Sequence, residues 1–337
     1  MRRNHIVPLC ALILAMILWA GSFIALKVAF AAYHPMVVIF GRMMTASLCF
    51  AFLAGIMKPS RPRTGDLPLL LFMLACEPCL YFLFEAAALS NTQASQAGVI
   101  TALLPLMVAL GAGVILRERV GVQTVVGFVI SVAGAVVLSL GSGGDAMAPN
   151  PALGNFYEVC AMVCATGYTI ALKRLTSRYS PLFLTALQAC AGSVFYLPFL
   201  FLPTTAWPDR FDLQAVLSVV YLGVFVTMGA YGLYNYGVSR VKASQASAFV
   251  NLIPVLTVFF GWLFLGERLT AVQYAASLVV IAGVLLSQDI FSGWRDHLPG
   301  GAPDRVRADG RASRSAQPPV VKLYSKSPPS HSARDLP

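Results

Sequence analysis

Long apolar runs without a single charged residue constrain the fold of this chain more than any other feature. They cover 86–116, 120–144, 179–208, 213–239, 243–266 and 269–288. A helix needs roughly 20 mostly apolar residues to cross the hydrocarbon layer of a bilayer. Charged residues make up only 11% of the chain, against about 25% in soluble domains. The sequence therefore predicts an all-α integral membrane protein that crosses the bilayer many times.

We place ten transmembrane helices on the chain. They lie near 9–32, 35–57, 67–89, 95–116, 121–141, 152–173, 181–202, 213–237, 244–265 and 270–289. The Arg2-Arg3 start precedes a long apolar run that no small-residue cleavage site closes. We therefore interpret it as the beginning of a retained first helix and not as a signal peptide.

The chain contains one stretch twice. Residues 94–97 (Ala-Ser-Gln-Ala) recur as 243–246, a shift of 149 positions. At that shift Leu103, Pro105, Leu116, Glu118 and Arg119 match Leu252, Pro254, Leu265, Glu267 and Arg268; at a shift of 146, residues 24–27 (Ile-Ala-Leu-Lys) match 170–173. A period near 150 is typical of a duplicated domain. We predict one five-helix repeat in 1–145, a second in 146–289, and a disordered basic tail in 290–337.

Lysine and arginine in the short loops predict the orientation, because cytoplasmic loops carry an excess of these residues. Every second loop, together with the amino terminus, is basic: Arg2, Arg3, Lys58, Arg61, Arg63, Arg117, Arg119, Lys173, Arg174, Arg178, Arg240 and Lys242. The other loops carry only Arg210 and Arg268. Both termini are therefore predicted to be cytoplasmic.

Five helices in each copy is an odd number, so the second copy is predicted to run through the membrane in the opposite direction. Inverted repeats of this kind are characteristic of secondary transporters, whose substrate sites lie near the bilayer midplane where the repeats meet. The period, the number of helices and the loop charges thus predict a transporter without reference to any motif.

The repeated pattern also resembles a known family. A short Ala-Ser run, a proline in mid-helix and a Leu-x-Glu-Arg run before the next helix are similar to the EamA-type branch of the drug/metabolite transporter superfamily. Supporting matches are Trp19-Ala20-Gly21-Ser22, Phe40-Gly41-Arg42, Gly127, Gly134 and Gly283. The resemblance implies ten helices in two inverted five-helix repeats and the transport of small metabolites, often outward. The first repeat departs from the pattern at Arg117, where the family usually has glycine.

Charged residues inside membrane helices are costly and usually functional. Glu77 is predicted to lie at the midplane of the third helix, with Tyr81 and Glu85 at i+4 and i+8 on the same helical face. Arg42 is predicted nearby on the second helix. Two interpretations stay open: Arg42 forms a structural ion pair with Glu85 or Glu77, or one carboxylate binds a proton or a substrate amine.

Further candidates for the substrate and ion pathway are aromatic and amide residues. They are Trp19, Tyr168, Tyr231, Asn235 and Asn251. Core packing is the competing interpretation for each aromatic residue, although Trp19 and Tyr231 lie too deep to be interfacial anchors alone. Pro105 and Pro254 free backbone carbonyls and can kink their helices, which predicts a matched pair of hinges.

Several other chemistries have no support in the sequence. It contains no Gly-x4-Gly-Lys-Ser/Thr motif for a nucleotide, and its four histidines all lie outside the predicted helices. Residues 76–79 (Cys-Glu-Pro-Cys) have metal-site or redox spacing, but buried cysteines in apolar helices are more simply small hydrophobic residues. We predict no catalytic residues, no metal, no cofactor and no nucleic-acid partner.

The sequence as a whole predicts a secondary transporter in the cell (inner or plasma) membrane that exports small metabolites, amino-acid-like or other small polar or amphipathic solutes, by alternating access. Its partners are a small-molecule substrate and the lipid bilayer; a proton as coupling ion and a homodimer stay open. The alternatives are a facilitated exchanger without proton coupling, or a non-transporting membrane protein such as a lipid-acting enzyme or a scaffold.

Overall fold

The computed structural model describes residues 3–54, 62–116, 121–140, 148–241 and 243–287. Its regular elements in these ranges are α-helices, joined in places by short 3₁₀ or π-helical turns. The tail from residue 290 and the basic residues Lys58, Arg61, Arg117, Arg119 and Lys242 lie outside them.

The first half of the chain contains seven α-helices in chain order. They are α1 (Arg3–Ala32), α2 (Pro35–Leu53), α3 (Leu67–Leu74), α4 (Tyr81–Leu89), α5 (Ala94–Ile100), α6 (Leu104–Leu116) and α7 (Val122–Leu140). A π-helical turn (Ala75–Leu80) joins α3 to α4, and a 3₁₀ turn (Thr101–Leu103) joins α5 to α6.

The second half repeats this scheme. Its helices are α8 (Pro151–Leu175), α9 (Pro181–Tyr196), α10 (Leu213–Tyr221), α11 (Tyr231–Arg240), α12 (Ala243–Ala248), α13 (Leu252–Phe260) and α14 (Ala271–Ser287). A π-helical turn (Leu222–Ala230) joins α10 to α11, and a 3₁₀ turn (Phe249–Asn251) joins α12 to α13.

Seven helical stretches of the described chain are long and apolar enough to cross a membrane. They are Ile6–Ala32, Pro35–Leu53, Thr64–Leu89, Ala94–Ile115, Pro181–Phe201, Leu213–Arg240 and Ala246–Leu265. Val125–Leu138 and Ala271–Leu286 are shorter apolar helices, and α8 has 25 residues but carries Glu158 inside it. The prediction of an all-helical, multi-pass membrane protein is confirmed, while the number ten and the inversion of the repeats stay predictions.

The third predicted span is not the single regular helix that the sequence analysis assumed. The backbone at Glu77 has φ −150° and ψ 119°, so helical geometry stops there and resumes before α4. Pro78 explains the break, because proline disfavours helical geometry in the residue before it and removes one backbone donor. Tyr81 and Glu85 do share a face of α4, but the i+4 relation of Glu77 to Tyr81 does not hold.

The predicted hinge prolines lie where their helices change winding. Pro105 follows the 3₁₀ turn Thr101–Leu103, and Pro254 follows the corresponding turn Phe249–Asn251. A tighter turn inside a longer helix often marks a hinge. The structure thus places the same local irregularity at matching positions of the two halves.

Residues at matching positions also contact each other directly. Ser131 Oγ donates to the Val280 carbonyl at 2.9 Å, with a separation of 149 residues, and the hydroxyls of Ser47 and Ser193 lie 2.9 Å apart with a separation of 146. A Cβ on Gly283 would approach the Gly127 carbonyl to 2.6 Å, so α7 and α14 need glycine for their close approach. Small residues at such contacts are typical of membrane helix pairs.

Loop contacts define two ends of the bundle. At the first, which we call the Asn91 end, the Asn150 N–H donates to the Asn91 carbonyl at 3.2 Å, and the Asp212 N–H donates to the Tyr33 hydroxyl at 2.9 Å.

The opposite end, the Asp66 end, is held by a second set of contacts. Asp66 pairs with Arg178 and accepts from the Tyr179 hydroxyl at 2.9 Å. Lys173 Nζ donates to the Val238 carbonyl at 2.7 Å.

Candidate functional site

A cavity lies inside the bundle. Residues of α1, α2, α4, α6, α8, α11 and α13 form its walls, together with the turns around Glu77, Thr101, Val226 and Val250. Seven of the nine predicted pathway residues line it: Trp19, Arg42, Glu77, Tyr81, Glu85, Tyr168 and Tyr231. The structure therefore brings most of the predicted site together in one place.

The other two predicted residues do not line this cavity. Asn235 lies behind Tyr168 and accepts a hydrogen bond from its hydroxyl, while its own amide donates to Thr185 Oγ1 at 2.9 Å and to Gln188 Oε1 at 3.2 Å. Its contacts are those of a residue that orients Tyr168. Asn251 follows the lining residue Val250, and its buried Oδ1 has no hydrogen-bond partner among the described residues.

An ionic group occupies one wall of the cavity. Arg42 is 1% exposed, and its Nη1 lies 3.5 Å from Glu85 Oε2. Its Nε donates to Thr227 Oγ1 at 3.1 Å, and its guanidinium lies 4.2 Å from the centre of the Phe82 ring. The Tyr81 hydroxyl donates to the other Glu85 oxygen at 3.1 Å. Of the two ion pairs predicted for Arg42, the structure shows the one with Glu85.

Glu77 lies close enough to Arg42 and Glu85 to interact with both charges, but in the described structure Arg42 pairs with Glu85. The Glu77 side chain is buried and lies within hydrogen-bonding reach of Tyr231. The backbone around it is fixed by α9: the Tyr196 hydroxyl donates to the Cys79 carbonyl at 2.5 Å, and Gln188 Nε2 donates to the Glu77 carbonyl at 3.4 Å. These bonds satisfy carbonyls that the helix break releases, which is how irregular backbone is tolerated at membrane depth.

Aromatic rings form another part of the cavity wall. The ring centre of Trp19 lies 5.0 Å from that of Tyr231 and 4.8 Å from that of Tyr234. Tyr168 and Tyr231 are 6.3 Å apart and meet edge to face. The indole Nε1 of Trp19 is buried and has no hydrogen-bond partner in the described chain. Aromatic faces attract cations, so this wall complements a positively charged group.

The two halves of the chain contribute matching positions to the cavity. At the shift of 146, Trp19, Ser22 and Phe23 correspond to Ala165, Tyr168 and Thr169; at the shift of 149, Thr101 and Leu104 correspond to Val250 and Ile253. All ten residues line the cavity. Sequence reasoning missed Thr101, Thr169 and Ala165 because none is individually unusual. The repeat shift, applied to Trp19, would have found Ala165; Thr169 and Thr101 correspond to Phe23 and Val250, which are themselves ordinary apolar residues.

The described residues offer no cluster of three or more His, Cys, Asp or Glu side chains that could hold a metal ion. Cys76 and Cys79, which flank Glu77 in the helix break, are free thiols. The chemistry available to the cavity is therefore hydrogen bonding, ion pairing and cation–π contact, which suits binding of a small solute.

A multi-pass helical bundle with a partly ionic cavity lined by two matching halves is typical of a membrane transporter. The family model described as "EamA-like transporter family" matches the chain twice, over residues 7–140 and 152–288. The chain belongs to this family, as the resemblance of its repeated motifs indicated.

Two curated relatives match most of the chain. An uncharacterized transporter of Archaeoglobus fulgidus is 29% identical over 279 residues, which cover 82% of this chain and 96% of the relative. A probable terminal-alkyne amino-acid exporter of Streptantibioticus cattleyicolor is 28% identical over 276 residues, covering 82% of this chain and 91% of the relative. A solved crystal structure with 19% identity covers 88% of this chain and all of its own, with a TM-score of 0.61; it supports the fold alone.

Proposed function

We propose that this protein is a secondary transporter that exports small amino-acid-like zwitterions by alternating access between two inverted five-helix repeats. The observation that carries the proposal is a pair of unsatisfied donors in one cavity. Arg42 Nη1 and Trp19 Nε1 are both buried and lack hydrogen-bond partners among the described residues, and both side chains line the cavity that Glu77 also lines.

Unsatisfied buried donors favour a ligand that can accept from them. Leaving a buried polar group unpaired costs about 1–3 kcal/mol, and a guanidinium is well suited to a carboxylate. A substrate carboxylate near Arg42 and Trp19 would recover this free energy. The Glu85 carboxylate accepts from Tyr81 and forms an ion pair with Arg42 at 3.5 Å in which Nη1 makes no hydrogen bond, so Nη1 can donate to a substrate carboxylate while the ion pair stays formed.

We assign binding of the substrate ammonium group to Glu77. Glu77 lines the same cavity as the rings of Trp19, Tyr168 and Tyr231. A carboxylate beside aromatic faces suits an ammonium group, which gains both charge pairing and cation–π attraction. The Streptantibioticus relative is a probable terminal-alkyne amino-acid exporter, which supports the same class of solute.

Three observations support the inverted repeats. The two family matches fall within the predicted repeats 1–145 and 146–289. Matching residues contact each other directly at Ser47–Ser193 and Ser131–Val280. The loops that contact each other at the Asn91 end are those predicted to face outward, and the loops that contact each other at the Asp66 end are those predicted to be cytoplasmic. We accordingly place both termini in the cytoplasm and the protein in the cell membrane.

We include proton coupling in the proposal, because export against a gradient needs a driving ion. Exchange without proton coupling is the competing candidate. It is favoured by the contact of Glu85 with Arg42, since a carboxylate that is already compensated has less need of a proton.

Ligand stabilisation of the purified protein tests the substrate class. We expect a neutral amino acid with a medium-sized apolar side chain to raise the melting temperature, because a ligand that binds only the folded state stabilises it. The amine that lacks the carboxylate and the acid that lacks the ammonium are the matched controls, and each should be at least tenfold weaker. Equal stabilisation by all three compounds, or none by any amino acid, would contradict the proposal.

A further inference from the structure

One carboxyl group of the bundle is unexplained by the cavity. Glu158, on α8, is 0% exposed and is absent from the cavity lining. Neither of its two carboxyl oxygens has a hydrogen-bond partner among the described residues. Glu85, by contrast, is held by Arg42 and Tyr81. Glu158 is therefore the buried carboxyl for which the described structure supplies no compensation.

The position of Glu158 on α8 links the Asn91 end to the cavity. One turn before it, Asn155 accepts a hydrogen bond from Thr92 Oγ1 at 2.8 Å and donates to Gln96 Oε1 at 3.1 Å. Met162 and Ala165, at i+4 and i+7 from Glu158, line the cavity. Residues with these spacings share one face of a helix. The same face of α8 therefore bears Asn155 near the Asn91 end, then Glu158, and then Met162 and Ala165 at the cavity.

Other ionisable groups on the neighbouring elements do not neutralise a negative charge on Glu158. Glu85 on α4 lies close enough to repel an ionised Glu158, and Tyr81 lies close enough to interact electrostatically with Glu158. Glu77 in the helix break is another acid. The cysteines and tyrosines on these elements carry no positive charge; they are Cys76 and Cys79 in the break, Cys160 and Cys164 on α8, and Tyr231 and Tyr234 on α11. The Arg42 guanidinium already faces Glu85 at 3.5 Å. An ionised Glu158 would thus be buried, unpaired and next to another acid, which is strongly unfavourable.

A bound proton most simply removes the unfavourable charge on Glu158. The described residues offer no group of three or more His, Cys, Asp or Glu side chains that could hold a metal ion there instead. We propose that Glu158, which water does not reach in this conformation, is a proton-binding site separate from the substrate cavity. On opening of the Asn91 end, water reaches the carboxyl, which releases its proton to water and becomes a carboxylate. Reprotonation precedes closure, since the closed site does not tolerate the charge.

This inference rests on the proposed transport function and assigns its coupling ion to one residue. Glu77 binds the substrate ammonium inside the cavity, whereas Glu158 carries the proton outside it. Because the two groups are distinct, a change at Glu158 should separate proton coupling from substrate binding.

Glu158→Gln is the decisive variant, because glutamine has nearly the shape of the neutral acid and cannot release a proton. We expect it to fold with a melting temperature equal to or above that of the wild type. In proteoliposomes the wild type should transport faster when a proton gradient is imposed, and Glu158→Gln should lose this acceleration. Exchange of external for internal substrate, which needs no net proton movement, should persist. Tyr157→Phe, the adjacent position on α8, is the matched control and should keep the acceleration.

The protonated carboxyl is also visible without transport. The infrared spectrum of the wild type should contain the carbonyl absorption of a neutral carboxyl that is missing from Glu158→Gln. Identical carbonyl bands in the two proteins, gradient-driven acceleration retained in Glu158→Gln, or failure of that variant to fold would each overturn the proton site. Amino-acid binding to the wild type tests the proposed function separately: if it is absent, the zwitterion assignment fails while the infrared comparison still decides Glu158.

Discussion

The Glu267 carboxylate accepts a hydrogen bond from the backbone N–H of Ser95 at 2.9 Å and a second one from the Ser95 hydroxyl. Its other oxygen accepts from the Ala94 N–H at 2.9 Å. Both partners belong to the repeated motif, Ser95 to its beginning in the first half and Glu267 to its end in the second. The motif thus has a physical role: an acidic group from one half caps the first turn of a helix in the other half and complements its dipole.

Replacing Glu267 with glutamine should weaken this cap, because the amide is neutral and only one of its two polar ends can accept. We expect a loss of about 1–2 kcal/mol in folding free energy, measured as a lower melting temperature in detergent. Arg268→Gln changes the charge at the exposed next position and is the control. Equal stability of Glu267→Gln and Arg268→Gln would show that the cap contributes little.

The loop contacts predict which positions share a side of the membrane. Single cysteines at Asn91 and Asn150, in a background without native cysteines, should react with an impermeant thiol reagent added outside intact cells. A cysteine at the exposed Ser177, beside the Asp66 end, should react only after the membrane is opened. Protection of Asn150 while Asn91 reacts would be incompatible with the hydrogen bond between their backbones and with inverted repeats.

The matched prolines should affect motion more than binding. Pro105→Ala and Pro254→Ala restore a backbone donor beside the 3₁₀ turns and should straighten each helix. We expect turnover in proteoliposomes to fall several-fold, with substrate affinity changed by less than about twofold, because alternating access is mainly rigid-body motion around a fixed site. If the double variant keeps full turnover, the irregular turns are not hinges.

Much of the site was predictable from residue type, because a charged or large aromatic residue deep in a membrane helix needs a reason to be there. Arg42, Glu77, Glu85 and Trp19 all fall in this class, and all line the cavity. Thr101 and Ala165 could not be found in this way, since small residues are ordinary in membrane helices. Ala165 becomes predictable only through the repeat, as the partner of Trp19, whereas the partner of Thr101 is Val250, an ordinary apolar residue.

The break at Glu77 shows where periodicity fails. The apolar pattern around residues 67–89 is that of a continuous helix, and the helical spacing of Glu77, Tyr81 and Glu85 depends on that continuity. Pro78 interrupts it, and the released carbonyls are satisfied by Tyr196 and Gln188 of α9, far away in sequence. Local sequence can signal a break, but the geometry that results depends on these tertiary contacts.

The indole of Trp19 allows a direct test of the proposed contact between the cavity and the substrate carboxylate. Trp19→Phe keeps an aromatic ring beside Tyr231 and Tyr234 but removes the unsatisfied Nε1 donor. A hydrogen bond to a charged group contributes about 1.5–3 kcal/mol, so affinity for the amino acid should fall about tenfold or more by isothermal titration. The amine without a carboxylate should bind both proteins equally. An unchanged amino-acid affinity would remove Trp19 from the site.

Counterflow in proteoliposomes tests the central claim, transport of a zwitterion through this cavity, most directly. Vesicles loaded with an unlabelled neutral amino acid should take up the labelled compound faster than vesicles without protein. Glu77→Gln, which removes the charge expected to hold the ammonium, should abolish most of this uptake while the protein stays folded. Uptake no faster than in empty vesicles, or full uptake by a folded Glu77→Gln protein, would contradict the account.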